Sequence, residues 1–401
     1  MIDIRNYASV TAAYWGFMLT DGALRMLVLL HFHALGYTPF QLAMLFLIYE
    51  FMGIVTNTYG GWIASRYGLK LTLTSGLTFQ IIALCVLSGL DQSWPTTQSV
   101  IFVLGVQGLS GIAKDLTKIS SKSAIKLIVP KDTPGALYKW VALLTGSKNA
   151  VKGVGFFVGA LLLSIFGFQP SLWIMAGFLL AILVVSSITV NPTIGRASKK
   201  SKFSQVFTKS RAINLLSAAR VFLFGARDVW FVVGVPVFLY DQLGWSFHEV
   251  GAFMACWVIG YGFVQAIAPK FTLRSLDGQS AEIRSAKFWI VLLFVVPIVI
   301  VVGLHLEVDP GMLLVGNLAL FGIVFAVNSA IHSYLILAFS KHDGVSVNVG
   351  FYYMANAAGR LLGTLLSGLS YQAAGLTGCL GVAAAFICIS ALFTFALRES
   401  V

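Results

Sequence analysis

Apolar runs of about 20 residues recur along the whole chain, separated by short polar turns. Each is long enough to cross a bilayer hydrocarbon core of about 30 Å as a helix. Read in order, they predict an all-α polytopic membrane protein with about twelve spans. The turns alternate in charge. Those around HFHALGYTPF, GLDQSWPTT, FGFQPS, LYDQLGWSFHEV, LEVDPG and YQAAGLTG contain no Lys or Arg. The opposite turns hold Arg66 and Lys70, Lys118 to Lys131, Arg196 to Arg211, Lys270 to Lys287, Lys341 and Arg398. By the positive-inside rule the basic turns and both termini are expected in the cytoplasm, and the membrane is expected to be an inner, bacterial-type one. The opening MIDIRNYASV places an acid before the first arginine and offers no small-residue cleavage site, so no removable signal peptide is expected.

Composition agrees with the pattern. Of 401 residues, 58% are hydrophobic and only 10% charged, too few charges for a soluble domain to cover its apolar surface. A formal charge of +12 would point to nucleic acid in a soluble protein. Here the basic residues crowd into one set of turns, so topology accounts for them and no nucleic-acid partner is expected. Cys85, Cys256, Cys379 and Cys388 lie in apolar spans without ligand-like spacing. They read as small buried residues rather than a thiol site, and neither metal nor cofactor is expected.

The longest polar, basic stretch, NPTIGRASKKSKFSQVFTKSRAIN, separates two portions of similar length. The expected organisation is an N-terminal six-helix half at 1–190, a cytoplasmic linker at 191–212 and a C-terminal six-helix half at 213–401. The halves are weakly alike. ALGYTPFQLAMLFL from Ala34 pairs with QLGWSFHEVGAFMA from Gln242, and NAVKGVGFFVGALL from Asn149 pairs with NAAGRLLGTLLSGL from Asn356. The second pairing puts Lys152 and Arg360 in comparable places. Chance likeness between apolar sequences is the rival explanation. Two parallel six-span repeats are the symmetry of major facilitator transporters, which bind substrate between their halves near mid-membrane. GGWIASRYGLK, after the second span, resembles that superfamily's loop signature Gly-x-x-x-Asp-Arg-x-Gly-x-Lys. Gly61, Arg66, Gly68 and Lys70 match it as a candidate gating loop, while Ser65 replaces the aspartate and its charge latch. The proline of the antiporter pattern in span five is missing, and Gly155/Gly159 and Gly359/Gly363 read as close-packing surfaces.

An ionised side chain at the bilayer centre costs about 2.5–3.5 kcal/mol on insertion scales, so each deep charge needs a partner or an aqueous cavity. Asp21 and Arg25, one turn apart, can pair. Glu50 is alone in its helix, a proton carrier or the counter-ion of a neighbouring lysine. Lys114, Lys118, Lys122 and Lys126 repeat every fourth residue, a stripe whose members repel one another. Lys122 and Lys126 read as interfacial, whereas Lys114 and Lys118 are expected at a cavity mouth. Lys148 and Lys152 lie one turn apart in span five. In span seven Arg220 and Arg227 share a face while Asp228 is expected to point elsewhere, and Arg220 could instead snorkel to the interface. Tyr352, Asn356 and Arg360 form a polar stripe in span eleven, and Asn328 and His332 do so in span ten. His332 reads more readily as a hydrogen-bonded packing residue than as a ligand.

Deep bases outnumber deep acids: Arg25, Lys114, Lys148, Lys152, Arg227 and Arg360 against Asp21, Glu50, Asp115 and Asp228. Surplus cation in low dielectric favours a polyanion, and the guanidinium fork suits phosphate-like and carboxylate oxygens. The four acids are candidates for coupling or ion pairing. Lys118, Arg220, Asn328 and His332 are secondary candidates for the substrate site.

LTDGALRMLVLLHFHALGY, SGIAKDLTKISSKSAIKL, LLTGSKNAVKGVGFF and INLLSAARVFLFGARDVWFVVGVP together resemble the ArsJ-type organoarsenical efflux permeases, a branch of the major facilitator superfamily. The resemblance implies export of 1-arseno-3-phosphoglycerate by alternating access and hence arsenate resistance. It also implies a functional link to the glyceraldehyde-3-phosphate dehydrogenase that makes this unstable ester. A facilitator for another organic phosphate, phosphonate or organic anion is the alternative. A non-transporting receptor would pair its charges internally. A membrane enzyme finds no support, because HExxH, a nucleotide-binding glycine loop and a Ser/His/Asp set are all missing. A monomer is the expected state.

Overall fold

The structure is a computed structural model describing residues 4–91, 93–128, 134–191, 210–272, 279–306, 308–339 and 345–398. All regular structure among them is helical. The first helices are α1 Ile4–Ala34, α2 Pro39–Tyr67, α3 Leu69–Leu87, α4 Thr96–Ile128, α5 Pro134–Phe166 and α6 Phe168–Thr189. Next come α7 Arg211–Val229, a π-helical turn Trp230–Gly234 and α8 Val235–Asp241. The last are α9 Phe247–Ile267, α10 Ser280–His305, α11 Pro310–Ala338 and α12 Val345–Phe395.

Among the described residues, eleven stretches are long and apolar enough to span a membrane, with α7, the π turn and α8 together forming one. The last, Gly350–Phe395, runs 46 residues, which as ideal helix is about 69 Å, more than twice the hydrocarbon thickness. It breaks at Ala374 and Gly375, the latter at φ 60° and ψ −152°, a conformation open essentially to glycine alone. α12 therefore supplies two crossings, and twelve result. The π turn has a local cause as well. Pro236 has no N–H to offer the carbonyl of Val232, so the backbone ahead of it rewinds. The N–H groups of Val233 and Gly234 donate to Ser367 Oγ at 3.1 and 3.3 Å.

The described residues form two compact units. The first contains α1, α2 from Ile48 onward, α3 to α6, and Phe247–Ile259 of α9. Its inner helix is α1, whose most apolar window is 89% buried against 28% for α6. α6 leaves Trp173, Leu180 and Ile188 exposed, the apolar coat that lipid requires. α1 packs on α5 at backbone distance. A Cβ on Gly22 would lie 2.4 Å from the Lys152 carbonyl, one on Gly155 2.2 Å from that of Leu19, and one on Gly159 2.1 Å from that of Ala23. Gly251 of α9 meets Ala160 of α5 in the same way.

The second unit contains Leu35–Leu47, the π turn and its flanking helices α7 and α8, and the residues from Gly260 onward. Here α7 is the inner helix and packs on the first limb of α12. A Cβ on Gly359 would sit 2.1 Å from the Val221 carbonyl, and one on Gly363 2.6 Å from that of Gly225. Gly368 likewise abuts Pro39 and Ala43. Thus α1 against α5 in one unit is matched by α7 against α12 in the other, with Gly155 and Gly363 standing 208 residues apart.

Gly159→Val and Gly359→Val should each destabilise by about 1–3 kcal/mol, because the facing atom is backbone and cannot swing away. The check is a lowered unfolding temperature in detergent. Gly105→Ala, facing open space, should leave that temperature unchanged or raised.

Candidate functional site

The inner helices α1 and α7 carry five of the deep charges, Asp21, Arg25, Arg220, Arg227 and Asp228, and each unit gathers its own cluster. In the first unit, Asp21 and Arg25 come from α1, Glu50 from α2, Lys114 from α4 and Lys152 from α5. Lys152 Nζ lies 2.5 Å from Asp21 Oδ2, and the Tyr49 hydroxyl donates to the other carboxylate oxygen. Arg25 Nη2 donates to Glu50 Oε1 at 2.8 Å. Lys114 Nζ stands 3.9 Å from Glu50 Oε2 and 3.9 Å above the centre of the Tyr49 ring. These pairs cross between helices instead of running along α1. The glycine contact explains the first: α5 approaches α1 closely enough for Lys152 to reach Asp21. Three cations then face two carboxylates.

In the second unit, α7 contributes Arg220, Arg227 and Asp228, and α12 contributes Tyr352, Asn356 and Arg360. Arg227 Nε donates to Asp228 Oδ1 at 2.6 Å, so the long guanidinium bends back to its sequence neighbour even though their Cβ atoms diverge. Arg360 Nε donates to the other oxygen, Oδ2, at 3.1 Å. Arg220 is buried, only 4% exposed. Its Nε donates to Asn356 Oδ1 at 2.9 Å, and its Nη1 donates to both the carbonyl and the hydroxyl of Ser329 at 3.2 Å. Its guanidinium lies 3.7 Å from the Phe224 ring centre and 4.9 Å from that of Tyr352. Two arginines face one aspartate, and Arg220 stands apart from it on neutral partners.

The two clusters share a common element. Asp21 and Asp228 are 207 residues apart and Lys152 and Arg360 are 208 apart, so the Asp21–Lys152 and Asp228–Arg360 pairs are equivalents under the repeat. Each sits where a glycine-rich stretch of one helix presses on the inner helix. Buried in low dielectric, such a pair offsets the desolvation of its charges only when the geometry is this close.

The remaining candidates distribute as follows. Lys118 pairs with Asp115 one turn earlier on α4. Lys148 is half-buried one turn before Lys152. Asn328 and His332 are fully buried on α11, with the Asn328 amide donating to the Val324 carbonyl at 3.1 Å. Gly61 and Arg66 fall in a stretch of α2 whose side chains lie outside the described residues, as do the side chains of Lys122 and Lys126 and most of the linker. Gly68, at φ 91°, turns the chain between α2 and α3. Lys70 Nζ donates to the Ser187 carbonyl at 2.7 Å, which satisfies a backbone acceptor in the last turn of α6. Tyr49 was not among the residues expected here, nor were Ser329, Tyr261 and Gln265. Tyr261 and Gln265 reach the Ser329 hydroxyl at 3.2 and 3.3 Å. The hint for Tyr49 was its place beside Glu50. Gln265 stood out as an amide in an apolar helix.

Charge buried on the inner helices of two repeat-related units is the construction of a carrier. The chain belongs to the Major Facilitator Superfamily, whose family model matches residues 10–342. It is a multi-pass membrane protein and a secondary transporter. No curated protein matches it in sequence. Solved structures share the fold across nearly all of the chain. A bacterial homologue of the iron transporter ferroportin in the outward-facing state has 13% identity and a TM-score of 0.70, with 98% of this chain and 99% of that one covered. The same protein type in the inward-facing state has 13% identity and a TM-score of 0.71, with 99% of each chain covered. The human organic anion transporter MFSD10 (TETRAN) has 14% identity and a TM-score of 0.70, with 97% and 99% covered. Among the described residues, no group of three or more His, Cys, Asp or Glu could hold a metal ion.

Asp228→Asn should destabilise more than Asp21→Asn, because it strands two arginines where the other strands one lysine. Removing one partner of a buried pair costs about 3–5 kcal/mol, read as a drop in unfolding temperature in detergent. Adding Lys152→Gln to Asp21→Asn should recover part of the loss, which would identify the pair itself as the coupled unit.

Proposed function

We propose that this transporter exports 1-arseno-3-phosphoglycerate from the cytoplasm across an inner membrane, lowering cellular arsenate. The observation that carries the reading is the surplus of buried cation within each unit: three against two around Asp21 and Glu50, and in the other unit two against one around Asp228 with Arg220 besides, held on neutral partners. Such surplus attracts an anion, and five of the six cations, all but Lys114, are already oriented by hydrogen bonds to neighbouring side chains or backbone. The ester carries arsenate at one end and phosphate at the other, both oxyanions suited to guanidinium and ammonium donors. The intramembrane stretches that resemble ArsJ-type permeases supply Asp21, Arg25, Lys114, Lys152, Arg220, Arg227 and Asp228 of these clusters. A glyceraldehyde-3-phosphate dehydrogenase using arsenate in place of phosphate supplies the substrate, and hydrolysis outside the cell makes export one-way.

An inside-negative potential drives an anion outward by about 2.3 kcal/mol per charge per 100 mV, so uniport through alternating access suffices energetically. The protein acts as a monomer with both termini in the cytoplasm. A second reading, transport of another organic phosphate or phosphonate, is favoured by the donors themselves, which contact oxygen and do not distinguish arsenic from phosphorus.

The test uses cells lacking arsenical pumps that express this protein alone, the dehydrogenase alone or both, each challenged with arsenate. Arsenic accumulation over minutes should fall only when both are present. A fall with the transporter alone would mean free arsenate or a general anion is carried. No fall in any strain would overturn the arsenical reading.

A further inference from the structure

We infer that Arg220, oriented by Asn356 and Ser329, is an oxyanion subsite in the second unit and the residue that grips an anionic group of the substrate. The inference rests on the anion-transport reading and narrows it to one guanidinium.

The first observation is a contrast among the deep cations. Arg25, Lys114, Lys118, Lys152, Arg227 and Arg360 all lie within ion-pair distance of a carboxylate. Among the described residues Arg220 has no such partner. What holds it is neutral: the Asn356 carbonyl oxygen, the Ser329 backbone and hydroxyl, and the faces of Phe224 and Tyr352. These acceptors fix the plane of the guanidinium without cancelling its charge. A full positive charge at 4% exposure is costly when so compensated, and a bound anion is the group that would relieve it.

The second observation concerns unused donors. Arg220 has committed Nε and Nη1, and among the described residues its Nη2 makes no hydrogen bond. Asn356 accepts through Oδ1, which turns its amide N–H groups away from Arg220, and they likewise have no described acceptor. Among the described residues, fully buried polar atoms without hydrogen-bond partners lie on the same elements: the hydroxyl of Tyr352, whose ring stacks near the guanidinium, and both ring nitrogens of His332, one turn beyond Ser329. Native interiors rarely leave several such groups unpaired in one place. A guanidinium edge, an amide and a phenol are all suited to the oxygens of a phosphoryl, arsenyl or carboxylate group.

The inference makes Arg220, and not the carboxylate-paired Arg227 or Arg360, the primary anion contact of this unit. Purified protein is titrated with 3-phosphoglycerate, and separately with inorganic phosphate, while calorimetry and thermal unfolding are followed. Wild type should bind 3-phosphoglycerate. Arg220→Gln should weaken that binding by about tenfold to hundredfold, the loss expected for a charge-assisted contact. Arg220→Lys should fall between, since a point charge replaces the fork. Asn356→Asp is the decisive variant, because it keeps the acceptor for Nε and supplies the missing counter-ion. It should raise the unfolding temperature of the free protein and abolish the ligand response. If Asn356→Asp stabilises the free protein but binds 3-phosphoglycerate as wild type does, Arg220 is a packing residue and the subsite is overturned. Undiminished binding by folded Arg220→Gln overturns it too. If wild type binds neither probe, the anion-transport reading fails and the subsite fails with it.

Discussion

The structure depends on two carboxylates, Asp21 and Asp228, held inside low dielectric on the inner helix of each unit. Neither could stay ionised there alone, since burying an isolated charge shifts it to its neutral form or unfolds its surroundings. Each is kept by a cation from the helix packed against it, Lys152 on α5 and Arg360 on α12. That reach exists only because glycines let the helix backbones close to contact distance. Small residues and buried charge are thus parts of one device: the glycines bring the helices together, and the charges fix the register at which they meet. In lipid, where apolar side chains gain little by leaving the solvent, close packing and polar contacts of this kind supply the specificity.

This coupling also bears on transport. A carboxylate that neutralises a cation is a competitor for any anionic substrate. Where the pair is intact, an arriving oxyanion must share Lys152 or Arg360 with an aspartate already in place. Each cluster carries more cation than its acids can neutralise, so an anion can associate without expelling the carboxylate. The arrangement keeps both clusters compact when empty and still attractive to an anion. A single unpaired lysine in hydrocarbon would attract as strongly and hold its helix less well.

Much of this was legible in the sequence. Twelve crossings follow from apolar run lengths, and the pairing of Lys152 with Arg360 follows from aligning two glycine-bearing stretches. The identities of the deep charges needed only the rule that charge in a span demands a reason. The partners of those charges were not legible. Asp21 and Arg25 stand one turn apart and could serve each other, yet Asp21 takes Lys152 and Tyr49, and Arg25 takes Glu50. Periodicity places side chains on a face of their own helix and is silent about which helix that face meets. Tyr49 was hidden for the same reason: it neighbours Glu50 in sequence but serves Asp21 on another helix. The π turn after Asp228 depends on the absent N–H of Pro236, a proline that the apolar pattern passes over.

What the two units share and what they do not divides the labour among these residues. The Asp–cation pair recurs at an offset of 207 to 208 residues, and Gly155 recurs at 208 as Gly363, as a feature required of any helix pair built this way would. The other charges do not recur. At Arg220's offset the first unit has Ala13, and at Arg25's offset the second unit has Val232. Tyr49 and Glu50 of the first unit are followed at that distance by Cys256 and Trp257. Recurrence under a repeat reports a constraint of folding, since both copies must fold, whereas an unrepeated buried charge has no such excuse and must be explained by what it contacts. By that reasoning the shared pairs hold the units, and Arg220, with its neutral support, is the charge that the proposed anion subsite would explain.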